Sequence, residues 1–155
     1  MRRALFEIVV CLALMVWLAA CSSGHSSPSD GPSLKANPKT IKNPVASTPE
    51  SLATGKRLYD RLCADCHGAT GRGDGEKAKK LAAAGEPKAP DLTDDKWDHG
   101  STDGEIFVDI RDGLGSTMTG LNGKPGIGPE EIWHLVNYVR SLVQLHGMRP
   151  IISSP

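Results

Sequence analysis

Five consecutive residues carry the clearest chemistry in the chain: Cys63-Ala64-Asp65-Cys66-His67. Two thiols three positions apart, with an imidazole directly behind the second, suit three kinds of site. They can cycle between dithiol and disulfide, as in thioredoxin-like redox proteins. They can supply part of a zinc site. They can also form thioethers with the two vinyl groups along one side of a porphyrin, which places the histidine beneath the iron as an axial ligand. The first chemistry needs a βαβ context, and no strand-like alternation of useful length occurs here. The second needs another C-x-x-C or a paired histidine–cysteine cluster. The remaining cysteines of the four, Cys11 and Cys21, lie in a segment with a different logic. Haem attachment is therefore the expectation.

That other segment is the N-terminus. Arg2 and Arg3 precede a short apolar run from Ile8 to Trp17, and small residues close it. This is the layout of an export signal. A spanning helix needs about 20 apolar residues, and Glu7 interrupts the run near its start. Export agrees with haem attachment, which takes place on the outer side of the membrane. Leu18-Ala19-Ala20-Cys21 resembles the lipobox of bacterial lipoproteins. The resemblance implies removal of residues 1–20 and lipidation of Cys21. Residues 21–48 are rich in serine, proline, glycine and asparagine and hold no aromatic residue. Such a composition cannot bury enough surface to offset its ordering entropy, so a flexible tether is expected.

The elements that must position the cysteine run follow from local signals. Thr48-Pro49-Glu50 reads as an N-cap, a first-turn proline and an acidic first turn. Leu52, Gly55, Leu58, Tyr59 and Leu62 then recur at helical spacing. A short helix is expected near Glu76 to Ala84. Thr102-Asp103-Gly104-Glu105 reads as a capping box, with Gly113 as the end of the helix behind it. Pro129 opens a last helix in which Ile132, Leu135, Val136, Val139, Leu142 and Val143 form one apolar face, and Gly147 can cap it. The expected domain spans residues 49–147, followed by a tail over 148–155. It is all-α. No internal repeat occurs, so one cofactor is expected. Basic and acidic residues balance at 18 each, which gives no sign of a nucleic-acid binder. A small domain poor in aromatic side chains needs a staple, and a covalent apolar cofactor would supply one.

From about Glu50 to Gln144 the chain resembles bacterial monohaem cytochrome c domains of the class I type. Cys63-Ala64-Asp65-Cys66-His67-Gly68 followed by Gly71-Arg72-Gly73-Asp74-Gly75 matches the family's C-x-x-C-H-G-x-x-G-x-G-D-G run. Ala89-Pro90-Asp91-Leu92 matches its proline-containing loop, and Asn137-Tyr138-Val139-Arg140-Ser141-Leu142 its terminal helix. Gly55 and Tyr59 match positions that meet the last helix, with Leu135 and Tyr138 as partners. The resemblance implies a small cytochrome c fold of three to five helices, with long Gly/Pro-rich loops wrapped around one haem c. Cys63 and Cys66 would hold it and His67 would ligate iron, with the backbone carbonyl of Pro90 accepting the other ring N–H. Met118 is the implied sixth ligand, although Met118-Thr119-Gly120-Leu121 stands where the family often has M-P-x-F. His99 is the next candidate. His134 reads as structural, and Met148 and His25 as tail and tether residues. Trp97 reads equally as a haem contact and as a core aromatic.

With both axial positions filled, nothing is open to a small-molecule substrate. The expected role is electron transfer, not enzyme catalysis. Haem c would cycle between a respiratory or dehydrogenase donor and an oxidase-type acceptor. The protein would be exported and lipid-anchored through Cys21, facing the periplasm or cell exterior. Its expected partners are redox proteins. If Met118 does not bind, a five-coordinate haem domain for ligand binding or peroxidase chemistry follows. A fixed haem subunit of a larger membrane complex is the third reading.

Overall fold

The computed structural model describes residues 37–147. The expected signal, Cys21, His25, most of the expected tether, Met148 and the tail lie outside the described residues.

Helix α1 spans Pro49–Leu62. It starts where the sequence predicts, with the Thr48 hydroxyl accepting from the Ser51 N–H at 3.2 Å. Its buried residues are Ser51, Gly55, Leu58 and Tyr59, one stripe of the helix. A single turn, α2, spans Ala64–His67. Helix α3 spans Glu76–Ala83 behind Gly75. Helix α4 spans Asp103–Asp112, and both halves of the Thr102–Glu105 capping box are present. Gly113 ends it at φ 83°, a conformation that costs a residue with a Cβ. Helix α5 spans Pro129–Gly147. Between α4 and α5 the chain makes a small antiparallel hairpin, β1 (Gly113–Leu114) and β2 (Met118–Thr119), with Leu114 opposite Met118. Strands of two residues are too short to leave an alternation in sequence.

The core lies where α1, α4 and α5 meet. Tyr59, Phe107, Leu135 and Val136 are fully buried there. Burial of a side chain of this size contributes about 1.5–3 kcal/mol. Phe107 stacks on Trp133 with ring centroids 4.1 Å apart, and Tyr59 meets Tyr138 at 5.2 Å. Helices α1 and α5 touch through Gly55, where a Cβ would collide with the His134 carbonyl and with Tyr138 Cβ. Tyr138 is among the partners expected, and the His134 backbone lies nearest to Gly55.

The expected tether boundary moves. Residues 37–48 lie along the domain as a strap that begins with a 3-10 turn at Pro38–Thr40. Ile41 and Val45 pack on the core, and the backbone around Pro38 and Ile41 closes against Gly104 of α4. Buried Asn137 holds the rest. Its Oδ1 accepts from Asn43 at 2.8 Å, and its Nδ2 donates to the Val45 carbonyl at 3.1 Å and to Ser51 Oγ at 2.9 Å. Composition predicted a free segment. A few apolar anchors and one polar hub, remote in sequence, order it.

Candidate haem site

Cys63 is the C-cap of α1, its N–H donating to the Tyr59 carbonyl at 2.8 Å. Its own carbonyl then accepts from the N–H groups of Cys66 and His67 at 3.1 and 2.9 Å. The run is thus wound into one helical turn, and i,i+3 spacing puts both cysteines on one side. Both are half-buried and neither is in a disulfide. Burial, helped by neighbouring Cys66, pushes the Cys63 thiol up to about 12, so it is protonated at neutral pH.

A one-turn helix leaves its C-terminal carbonyls without partners. The glycine-rich run supplies them. Gly75 N–H donates to the Cys66 carbonyl at 3.2 Å and Gly73 N–H to that of His67 at 2.8 Å. The Gly68 carbonyl accepts from Gly71 N–H at 3.2 Å and from the buried Tyr59 hydroxyl at 2.8 Å. Gly73, at φ 70°, packs directly on the carbonyls of Ala89 and Pro90. Leu92 N–H donates to the Gly71 carbonyl at 2.6 Å. The first loop therefore pins the second. Asp91 Oδ1 stiffens the second loop by accepting from Thr93 N–H at 2.8 Å and Thr93 Oγ1 at 2.6 Å.

These contacts bring Pro90 to His67. Nδ1 of His67 is buried and has no partner that meets hydrogen-bond geometry. The Pro90 carbonyl nevertheless lies near enough to favour the protonated ring. Burial dominates and lowers the His67 pKa, so the ring is neutral and able to act as a ligand. A carbonyl that accepted from Nδ1 would leave Nε2 as the nitrogen for a metal.

Met118 stands on β2, half-buried against the core. Its hairpin folds back on α4, with Leu121 N–H donating to the Ile110 carbonyl at 3.0 Å and Asn122 N–H to that of Arg111 at 2.9 Å. Trp97 also packs half-buried on the core, and the Arg140 guanidinium carbon sits 5.6 Å from its ring centroid. His99 is exposed. His134 shares a 2.8 Å hydrogen bond with Ser51, in keeping with a structural role.

Haem c fits these residues on two observations. One is the orphaned Nδ1 of His67. The other is a rim of half-buried apolar side chains at the edge of the core, to which separate segments contribute Cys63, Leu92, Trp97 and Met118. A zinc site fits less well, because no group of three or more His, Cys, Asp or Glu among the described residues could hold a metal ion. Sequence reasoning missed Arg140 and the Tyr59 hydroxyl as supports. Their partners lie in other segments, and no local pattern marks them.

A family model described as "Cytochrome c" matches residues 52–143. The CcoP subunit of the cbb3-type cytochrome c oxidase of Rubrivivax gelatinosus is 34% identical over 98 residues, 63% of this chain and 28% of that protein. CcoP of Azospirillum sp. (strain B510) is 35% identical over 78 residues, 50% of this chain and 22% of its own length. The chain thus spans about a quarter of the curated relatives it matches. Among solved structures, a chain of the Kuenenia stuttgartiensis reducing HAO-like protein complex Kustc0457/Kustc0458 superposes with a TM-score of 0.59 at 30% identity, covering 74% of this chain and 52% of that one. The attachment run, the loops that buttress it, the helical fold and the match over residues 52–143 lead to one statement: this chain belongs to the cytochrome c family.

Proposed function

We propose that the domain is a single-haem electron carrier. Cys63 and Cys66 would hold haem c covalently, and His67 and Met118 would ligate its iron. The observation that carries this reading is the buried, neutral His67 directly behind Cys66 in one helical turn, with an unpartnered Nδ1 and the Pro90 carbonyl near its ring. Bound haem c supplies a one-electron Fe(III)/Fe(II) couple. The residues of the chain do the rest. Pro90 orients the His67 ring and raises its basicity as a ligand. Met118 would shield the iron from outside ligands and favour the reduced state. The apolar rim, Trp97 included, keeps water away, which also disfavours the more charged oxidised state.

The donor is a respiratory complex or a dehydrogenase and the acceptor is oxidase-type, in line with the oxidase named for the two CcoP relatives. Residues 1–20 are an export signal, and lipidated Cys21 with residues 22–36 tethers the domain to a membrane facing the periplasm or cell exterior. Among the described residues no helix is long and apolar enough to cross a membrane. Several acyl chains would give stable attachment, at about 0.8 kcal/mol per buried methylene. A second reading, a fixed subunit of a membrane oxidoreductase, draws on the same relatives, which are named as subunits. Purification in mild detergent separates the two: a shuttle comes out alone, and a fixed subunit brings its complex.

The central test is absorption spectroscopy of the exported protein. A pyridine haemochrome with the thioether shift is expected, and its absence would remove the attachment at Cys63 and Cys66. The ferric protein should show the near-infrared methionine–iron band and, once reduced, should bind carbon monoxide poorly. Met118→Ala should abolish the band and admit carbon monoxide. Equal carbon monoxide binding by both proteins would remove Met118 as a ligand.

A further inference from the structure

We infer that Arg140 is a positioning residue for the redox site and acts through Trp97. The inference rests on the haem reading above. Residues 94–102 contain no helix or strand, yet Trp97 within them forms part of the apolar rim. One guanidinium on α5 gathers the segment. Arg140 Nε donates to Asp103 Oδ1 at 2.8 Å, and Nη2 donates to the Ser101 carbonyl. The guanidinium carbon lies 5.6 Å from the Trp97 ring centroid. Three contacts with residues 97–103 thus converge on one rigid, planar group carried by the best-packed helix.

The chemistry suits arginine specifically. Its planar fork can bond a carboxylate and a carbonyl while its face meets an indole. A lysine offers a point charge without the fork. Asp103 lies against Arg140, so much of the guanidinium charge is compensated locally. The effect on the site is then mainly positional: Arg140 holds the indole against the rim. Without it the ring swings, water reaches the rim, and the oxidised state is favoured.

The test uses the full-length protein with haem attached and reads the midpoint potential of four variants beside the wild type. Arg140→Gln should lower the potential, and Arg140→Lys should restore only part of it. Trp97→Leu should lower it by itself. Arg140→Gln added to Trp97→Leu should shift it no further. Unchanged potential in Arg140→Gln, or an equal shift in the Trp97→Leu background, would overturn the inference while leaving the haem reading intact. If Arg140→Gln does not fold, Arg140→Lys alone decides, with a lower potential supporting the inference and an unchanged one overturning it. A wild type without thioether-bound haem would remove the haem reading, and this inference with it.

Discussion

The α1–α5 helix pair and the loops between residues 68 and 128 are held together by different forces. The pair is stabilised by side-chain burial: Leu58, Tyr59, Leu135, Val136, Val139 and Leu142 are all buried, and the backbones meet at Gly55. The loops bury few large side chains. Glycine N–H groups and carbonyls at close range hold them, with Gly68, Gly71, Gly73 and Gly113 at positive φ. The division has a consequence for function. Residues that face a cofactor must not be used up in the protein's own core. The loops deliver Met118, Trp97 and Leu92 to the core edge half-covered, while the helix pair carries the stability.

This contrast predicts how each region fails. Gly55→Val should have the largest effect, because the new side chain meets the His134 carbonyl and cannot be accommodated by a rotamer change. A loss of more than about 3 kcal/mol is expected in urea unfolding followed by far-ultraviolet circular dichroism. A stable Gly55→Val would mean the helices are not in backbone contact.

Asn137→Ala should cost about 2 kcal/mol, since it leaves buried Ser51 and the strap carbonyls short of partners. Limited proteolysis should then cut within residues 37–48 first. Cutting elsewhere would show that Asn137 is not what holds the strap.

Gly73→Ala belongs to the loop region. The φ of 70° and the adjacent Pro90 carbonyl make the Cβ unwelcome, at about 1–2 kcal/mol. Its sharper signature is a changed reduction potential in the haem-loaded protein, because the Pro90 carbonyl near the His67 ring must move. A lost-stability effect with no change in potential would separate Gly73 from the site.

The smallest effect concerns Asp109. Burial is the main cause that raises its pKa from 3.8 to about 6; Glu105 adds to the rise, and His99 opposes it. A carboxylate with a raised folded-state pKa keeps its proton more readily when folded, so stability falls as pH rises from about 4 to about 6. Asp109→Asn should therefore be slightly more stable than wild type at pH 7, and the gain should vanish below about pH 4. Denaturant titrations at both pH values check it, and an equal gain at both would rule out the ionisation.

What was legible in sequence had its partner close by. Thr48 caps Ser51, Thr102 and Glu105 cap each other, and Gly113 stops α4 one residue beyond its end. Gly55 was readable as a contact position through the resemblance to the family, since nothing in its own neighbourhood marks the partner helix. The strap was misread for the opposite reason. Its composition lacks an apolar stripe, and its anchor, Asn137, is 94 residues from Asn43. The hairpin at Met118 escaped because its two-residue strands are shorter than any period.

By itself, then, the sequence determined the spacing of Cys63 and Cys66 within one helical turn, the imidazole placed directly after them, and the points where the helices begin. Each depends on bonds within a turn or two of chain. Only the tertiary structure decided that the Pro90 carbonyl reaches His67, that Arg140 bridges 37 residues to Asp103 beside Trp97, and that residues 37–48 belong to the domain. Those contacts join segments with no local preference for one another, and they form only once packing of α1 against α5 has brought the segments together.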